Sequence, residues 1–251
     1  MRTFILSAII LLTATGASAR QDEPRRFLDP NLVPAEGTAP RDFVPRGWKT
    51  ETDEGVVTGD LNRDGAADAV LRLVEDMPVK GAGGVYNTRY RALVILLAKP
   101  GGGYTRVAVA TKLLGCTLCA GALGDPKGGN IKIEIKDGVL NVNQRSGARE
   151  ATDLTQRFRH DAASGRFQLI GEDVNEHDRA TGAGKGTSTN LLTGVRITVT
   201  TRVVSGGRKA ADFTTTRAPR ATRFIEDVDY ENQESGVRSQ ESEEKPSPVE
   251  T

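Results

Sequence analysis

Apolar and polar residues alternate with a period of two over long parts of this chain. Ile131, Ile133 and Ile135 are interleaved with Lys132, Glu134 and Lys136, Asp137-Gly138 supplies a turn, and Val139 to Val142 returns. Such alternation predicts a hairpin with one face buried and one wet. A second hairpin is expected from Thr155 to His160 and from Arg166 to Ile170, with Phe158, Phe167 and Leu169 as core residues. Thr187 to Leu192, Val195 to Val204 and Ala210 to Thr216 read as three more strands, separated by Thr193-Gly194 and Gly206-Gly207 and rich in the threonine and valine that strands prefer. Upstream, the shorter runs Ala69 to Val74, Ala92 to Ala98 and Tyr104 to Ala110 are continuous rather than alternating, the last two joined by Pro100-Gly101-Gly102-Gly103. The pattern predicts a mainly β fold of antiparallel sheets built from consecutive hairpins, sandwich-like or partial propeller-like. The one helix expected is short, near Ala108 to Leu114.

The ends of the chain read differently. Arg2, the apolar run Phe4 to Leu12 and Ala17-Ser18-Ala19 have the layout of a cleaved secretory signal peptide over residues 1–19. The run is too short to span a bilayer, no other stretch is long enough, and no cysteine follows it to take a lipid. The mature chain is therefore expected in the periplasm or outside the cell, without a transmembrane segment. Residues 20–42 carry Pro24, Pro30, Pro34 and Pro40 among mixed charges and read as an extended leader, with order beginning near Phe43 and Trp48 covering one end of the core. A single β-rich domain is expected over 43–225. Residues 226–251 hold nine acidic and two basic residues and read as an acidic disordered tail.

Candidate chemistry concentrates in one loop. In Asp60-Leu-Asn-Arg-Asp-Gly-Ala-Ala-Asp68, side-chain oxygens fall at positions one, three, five and nine, with glycine at six. Asp60, Asn62, Asp64 and Asp68, with the carbonyl of Ala66, are the ligand set expected for one Ca²⁺ ion. Carboxylates crowded at about 4 Å repel by roughly 4 kcal/mol per pair at an effective dielectric near 20, so the arrangement invites a cation. Position twelve is Leu71 where an EF-hand has glutamate, and a strand follows. Affinity is expected at the weak end, about 10⁻⁴ to 10⁻³ M. A metal-free, Asx-rich turn opening the strand is the competing reading.

The loop and the strands after it, Gly59 to Val74, Ala92 to Ala98 and Gly101 to Tyr104, resemble one FG-GAP or VCBS repeat, the integrin-type calcium loop. A propeller needs several blades and the chain has one such loop. More broadly, Val44-Pro-Arg-Gly-Trp48, Leu118-Cys-Ala-Gly121, Phe167-Gln-Leu-Ile-Gly171 and Ser188 to Gly194 resemble an uncharacterised family of exported bacterial proteins that carry this repeat once. That resemblance implies a single domain over about Phe43 to Val204 and no known catalysis.

Three further features are weaker. Cys116 and Cys119 are the only cysteines. In an oxidising compartment they read as a small-loop disulfide; a redox centre would want a helix start, and zinc would want two more ligands. His160 and His177 read as solvated surface residues. Gly182-Ala-Gly-Lys-Gly-Thr187 imitates a phosphate loop but lacks the helix that binds phosphate. Arg179 to Ile225 holds nine basic residues against Asp212 alone, a cationic face suited to an anionic polymer or membrane, or simply a solvated one. Phe213 is the one aromatic residue among the arginines, fewer than the stacking residues that nucleic-acid binding would want. The adjacent carboxylates Glu172-Asp173 and Glu226-Asp227 read as solvated. The function expected is a non-enzymatic exported β domain, braced by Ca²⁺, that binds an unknown envelope protein or anionic polymer. The alternative is a periplasmic hydrolase or thiol-redox enzyme using a carboxylate cluster or the cysteine pair.

Overall fold

The computed structural model describes residues 27–52, 55–220 and 222–232; residues 1–19, read as a signal peptide, and most of the acidic tail lie outside them. Thirteen strands form two antiparallel sheets. In chain order they are β1 (Glu36–Gly37), β2 (Trp48–Thr50), β3 (Val56–Gly59), β4 (Asp68–Glu75), β5 (Arg91–Ala98), β6 (Tyr104–Ala110), β7 (Ile131–Lys136), β8 (Val139–Gly147), β9 (Glu150–Asp161), β10 (Arg166–Asp178), β11 (Gly184–Asn190), β12 (Val195–Val203) and β13 (Lys209–Arg217). The first sheet has the order β1-β6-β5-β4-β2, with β3 also paired to β4. The second is an unbroken meander from β7 to β13, so the expected hairpins are all present.

The continuous apolar runs now have a physical reason. β4 and β5 are central strands covered on both faces, and their residues are almost all buried. One face, through Val70, Leu93, Ile95 and Ala108, meets Leu140, Val142, Phe158, Phe167 and Leu169 of the second sheet. The opposite face, through Ala69, Leu71, Leu73, Val94 and Leu96, packs against Leu28, Val33 and Phe43. Strands with two apolar neighbours cannot alternate. The second sheet has only one such neighbour, and β7 and β8 alternate between buried and exposed positions.

Three expectations need correction. Leu28 and Val33, inside the stretch read as an extended leader, are core residues, and β1 adds to the edge of β6. Phe27, Leu28, Leu32 and Val33 follow no strand or helix period among the prolines and so do not signal a packing segment, yet Leu28 and Val33 suffice to cap a preformed apolar sheet. The tail also begins later than 226: Ile225, Val228 and Tyr230 are buried, and Tyr230 donates its amide to the carbonyl of Lys112. No helix forms over Ala108 to Leu114, because β6 runs to Ala110 and Leu113 and Leu114 then turn into the core.

The covering segment is tied down by Asp42. Its Oδ2 accepts from the amides of Thr38 and Ala39 and the hydroxyl of Thr38, at 2.8–2.9 Å. These bonds, led by the Thr38 hydroxyl, hold the carboxyl below its ordinary 3.8. A depressed folded value adds stability above the unfolded pKa and loses it as pH falls through the folded one. Asp42→Asn should therefore lower the thermal midpoint at pH 7, with the gap to wild type closing as pH falls below the ordinary 3.8. A gap of constant size through that fall would show that the charge is not what holds the segment.

Candidate functional site

The acidic loop joins β3 to β4 at the rim of the first sheet. Asp60 accepts the amides of Arg63 (2.6 Å) and Asp64 (3.2 Å) on Oδ1 and of Gly65 (2.9 Å) on Oδ2. Asn62 Oδ1 accepts the Asp64 amide at 3.1 Å, its Nδ2 donates to Asp64 Oδ2 at 2.8 Å, and Asp64 Oδ1 accepts the Ala66 amide at 2.8 Å. Gly65 takes the positive φ that the sharp bend requires. The loop is thus wound on its own carboxylates. The Ala66 amide and Asn62 side chain hold Asp64 below its ordinary 3.8.

Asp68 differs from the others. It is fully buried, with Oδ2 accepting the Leu61 amide at 2.7 Å and Oδ1 the Ala98 amide at 2.8 Å. It therefore ties the loop to the far end of β5. Burial pushes its carboxyl above the ordinary 3.8, the amides of Ala98 and Leu61 pull it back, and the Asp64 charge adds a further push. Asp60, Asn62 and Asp64 are brought together by direct bonds, and Asp68 stands near enough to feel Asp64. The donors are all oxygen, which suits a hard cation. Among the described residues, however, no group of three or more His, Cys, Asp or Glu side chains is close enough to hold a metal ion.

Beside the loop is a shallow concavity lined by Gly59, Asp60, Arg63, Ile135, Asp137 and Gly138. Arg63 and Asp137, the two non-glycine residues with positive φ among those described, meet across it, with Arg63 Nη2 donating to the Asp137 carbonyl at 2.7 Å. The acidic loop is thereby latched to the β7–β8 turn of the second sheet. At Gly59 the sheets come so close that a Cβ would lie 2.8 Å from Ile135 Cγ2.

A second polar constellation lies at the other end of the space between the sheets, and the sequence reading missed it. Glu51, just after β2, has a fully buried side chain. Arg91 Nε reaches both of its oxygens at 2.8 and 2.9 Å, Arg91 Nη2 reaches Oε1 at 2.6 Å, and Arg72 Nε lies 3.1 Å from Oε2. The other arginine donors take the backbone carbonyls of Gly115, Cys116 and Asp125 from Arg91 and of Gly128 and Ile131 from Arg72, whose Nη2 also donates to the Thr52 hydroxyl. Arg89, also buried, donates its guanidinium to the Pro126 carbonyl and its amide to the Thr117 hydroxyl, and its carbonyl accepts the Thr117 amide. A Cβ on Gly128 would stand 2.7 Å from the Glu51 carboxyl carbon, so this glycine makes room for the cluster. The loop from Gly115 to Ile131 is therefore held by guanidinium groups rather than by apolar packing.

Cys116 and Cys119 sit on that loop at disulfide distance. His177 is half-buried with an unpartnered Nδ1, and the His160 ring lies 5.4 Å from Phe167, so neither is the freely solvated residue expected. The adjacent carboxylates are likewise engaged: Asp173 pairs with Arg157 and accepts from Ser188, and Glu226 and Asp227 both face Arg166. Gly182 to Thr187 forms the turn and start of β11, with no helix to receive phosphate.

Removing the carboxylate would leave two buried guanidinium groups uncompensated. Glu51→Ala should cost about 3–5 kcal/mol in denaturant unfolding. A loss below about 1 kcal/mol would mean that the carbonyls alone support the arginines. Comparisons with protein-family models, with curated proteins and with solved structures found no match.

Proposed function

We propose that this chain is a non-enzymatic, exported β domain that binds an anionic partner in the envelope or outside the cell, and that its acidic loop takes one Ca²⁺ as a brace. The observation that carries the binding reading is the lip formed by β12 and β13. These strands extend the second sheet beyond the core, and both of their faces are largely wet. A lip contributes little to packing, so its retention of Ile197, Val203 and Phe213 in exposed positions points to contact with something else. Over residues 195–220 six basic side chains stand against Asp212 alone. Arg202 pairs with that aspartate, whereas Arg208, Lys209, Arg217 and Arg220 have no carboxylate partner among the described residues.

The export reading rests on the leader of the sequence and agrees with cysteines at disulfide distance and with the absence, among the described residues, of a helix long and apolar enough to cross a membrane. For the ion, Asp60, Asn62, Asp64, the Ala66 carbonyl and Asp68 would be the ligands. A bound cation would neutralise carboxylates that press on one another and would tighten a loop that joins β3, β4 and β5. Millimolar Ca²⁺ should raise the thermal midpoint of the wild type, and Asp64→Ala should abolish the rise; a wild type indifferent to Ca²⁺ overturns the brace. On immobilised heparin the protein should be retained at about 20 mM salt and released well before 1 M, as screening shortens the Debye length to a few ångströms. Passage without retention at low salt would remove the charge argument for the partner.

A further inference from the structure

The outer edge of β13 is the end of a seven-stranded meander, and its hydrogen-bonding groups can be assigned strictly from register. The amide of Val204 donates to the carbonyl of Arg208 at one end of the β12–β13 pair, and the amide of Ala218 donates to the carbonyl of Gly194 at the other. Between them the register is unbroken, from Val203 opposite Lys209 to Val195 opposite Arg217. Antiparallel pairs alternate between hydrogen-bonded and non-bonded positions. The even-numbered residues of β13, from Ala210 to Thr216, therefore spend their backbone groups on β12. Lys209, Ala211, Phe213, Thr215 and Arg217 turn their N–H and C=O groups outward, and no strand lies beyond them among the described residues.

The side chains of those same odd-numbered residues share one face. Phe213 lies opposite Val199 and Thr215 opposite Ile197, while Ala211 lies opposite Thr201 and Lys209 opposite Val203. Phe213 is 72% exposed, and Ile197 and Val203 are also open to solvent. The edge thus offers five outward backbone positions, an apolar strip beside them, and basic residues at both ends: Arg208 and Lys209 at one, Arg217 and Arg220 at the other. Edge strands left long and open are normally blunted by proline, a bulge or an inward charge. β13 has no proline and no bulge. Like charges at both ends oppose antiparallel pairing with a second copy, in the register centred on Phe213, because Lys209 would then face Arg217.

We propose that β13 receives an extended acidic segment of a partner protein as an eighth antiparallel strand of the second sheet. This rests on the binding reading above and names its chemistry. Main-chain bonds to the odd-numbered residues supply affinity, apolar side chains of the incoming strand cover Phe213 and Ile197, and its carboxylates answer the four unpaired cations. Specificity for acidic over basic strands follows from charge, and tolerance of sequence follows from the main-chain contacts.

The test uses the full chain and a fluorescein-labelled ten-residue peptide of alternating Glu and Val, with alternating Lys and Val as its counterpart. The acidic peptide should bind at least tenfold tighter than the basic one. Thr215→Pro, which removes an outward donor and leaves the β12 ladder intact, should weaken binding tenfold or more. In amide exchange, Ala211, Phe213 and Thr215 should become protected only when peptide is bound, whereas Asp212 and Thr214 should be protected throughout; this holds even if the proline variant misfolds. Equal binding of the two peptides, or no new protection on the odd positions, overturns the proposal. If Phe213→Ser and Arg217→Glu abolish heparin retention but the exchange pattern does not move, strand addition falls while the lip remains a binding surface. If the peptide binds only after residues 233–251 are removed, the edge belongs to the chain's own acidic segment, which also overturns a partner in trans.

Discussion

Two guanidinium groups buried between sheets must meet a carboxylate, and much of the architecture follows from where that carboxylate comes from. Glu51 arrives from the β2 side of the first sheet, Arg72 from β4 and Arg91 from β5, and the arginines then reach across to the loop from Gly115 to Ile131. That loop leads directly into β7, so the cluster sets where the second sheet starts relative to the first. Desolvating two cations costs several kcal/mol each, and only a geometry that also satisfies their spare donors offsets it. Five carbonyls accept from Arg72 and Arg91 here, which is why an irregular loop can be rigid without much apolar packing. The cost has a compensating effect on uniqueness: an apolar plug could slide, but a bidentate carboxylate cannot.

At the opposite end of the same interface the sheets are joined by a different device. Arg63 crosses from the acidic loop to the β7–β8 turn, and Gly59 allows β3 to approach Ile135 closely. The sandwich is thus pinned at both ends by arginine-to-carbonyl bonds, with the aliphatic and aromatic core between. The acidic loop belongs to this scaffold whether or not an ion occupies it, since Asp68 spends both oxygens on Leu61 and Ala98.

Period-two alternation exposed the second sheet strand by strand, because each of its strands has one wet face and hairpin turns mark both ends. The continuous runs in β4 and β5 also declared themselves as strands, but not what covered them. Leu28 and Val33 lie in a proline-rich segment with no periodicity, and their burial depends on a sheet made later in the sequence. The Glu51 cluster was illegible for a related reason: its members are 21, 19 and 40 residues apart, and ion pairs at such separations leave no local pattern. The acidic loop was legible as a polar loop opening a strand, since its spacing is local. That Asp68 would turn inward to hold Ala98 was not, because that bond is set by tertiary packing. Residues 226–230 were misjudged by composition, as Val228 and Tyr230 among acids can still fill a gap when the gap already exists.

The two covers of β4 come from opposite sides of it in the chain, Leu28 to Phe43 before it and Leu140 to Leu169 after it. The run Ala69 to Val74 therefore cannot be shielded by any fragment that stops short of roughly two thirds of the sequence. Until then it is a bare, β-prone, nearly uncharged stretch of the kind that seeds aggregation. A chain built this way gains from being kept extended until both covers are in hand, and folding becomes an event of completion.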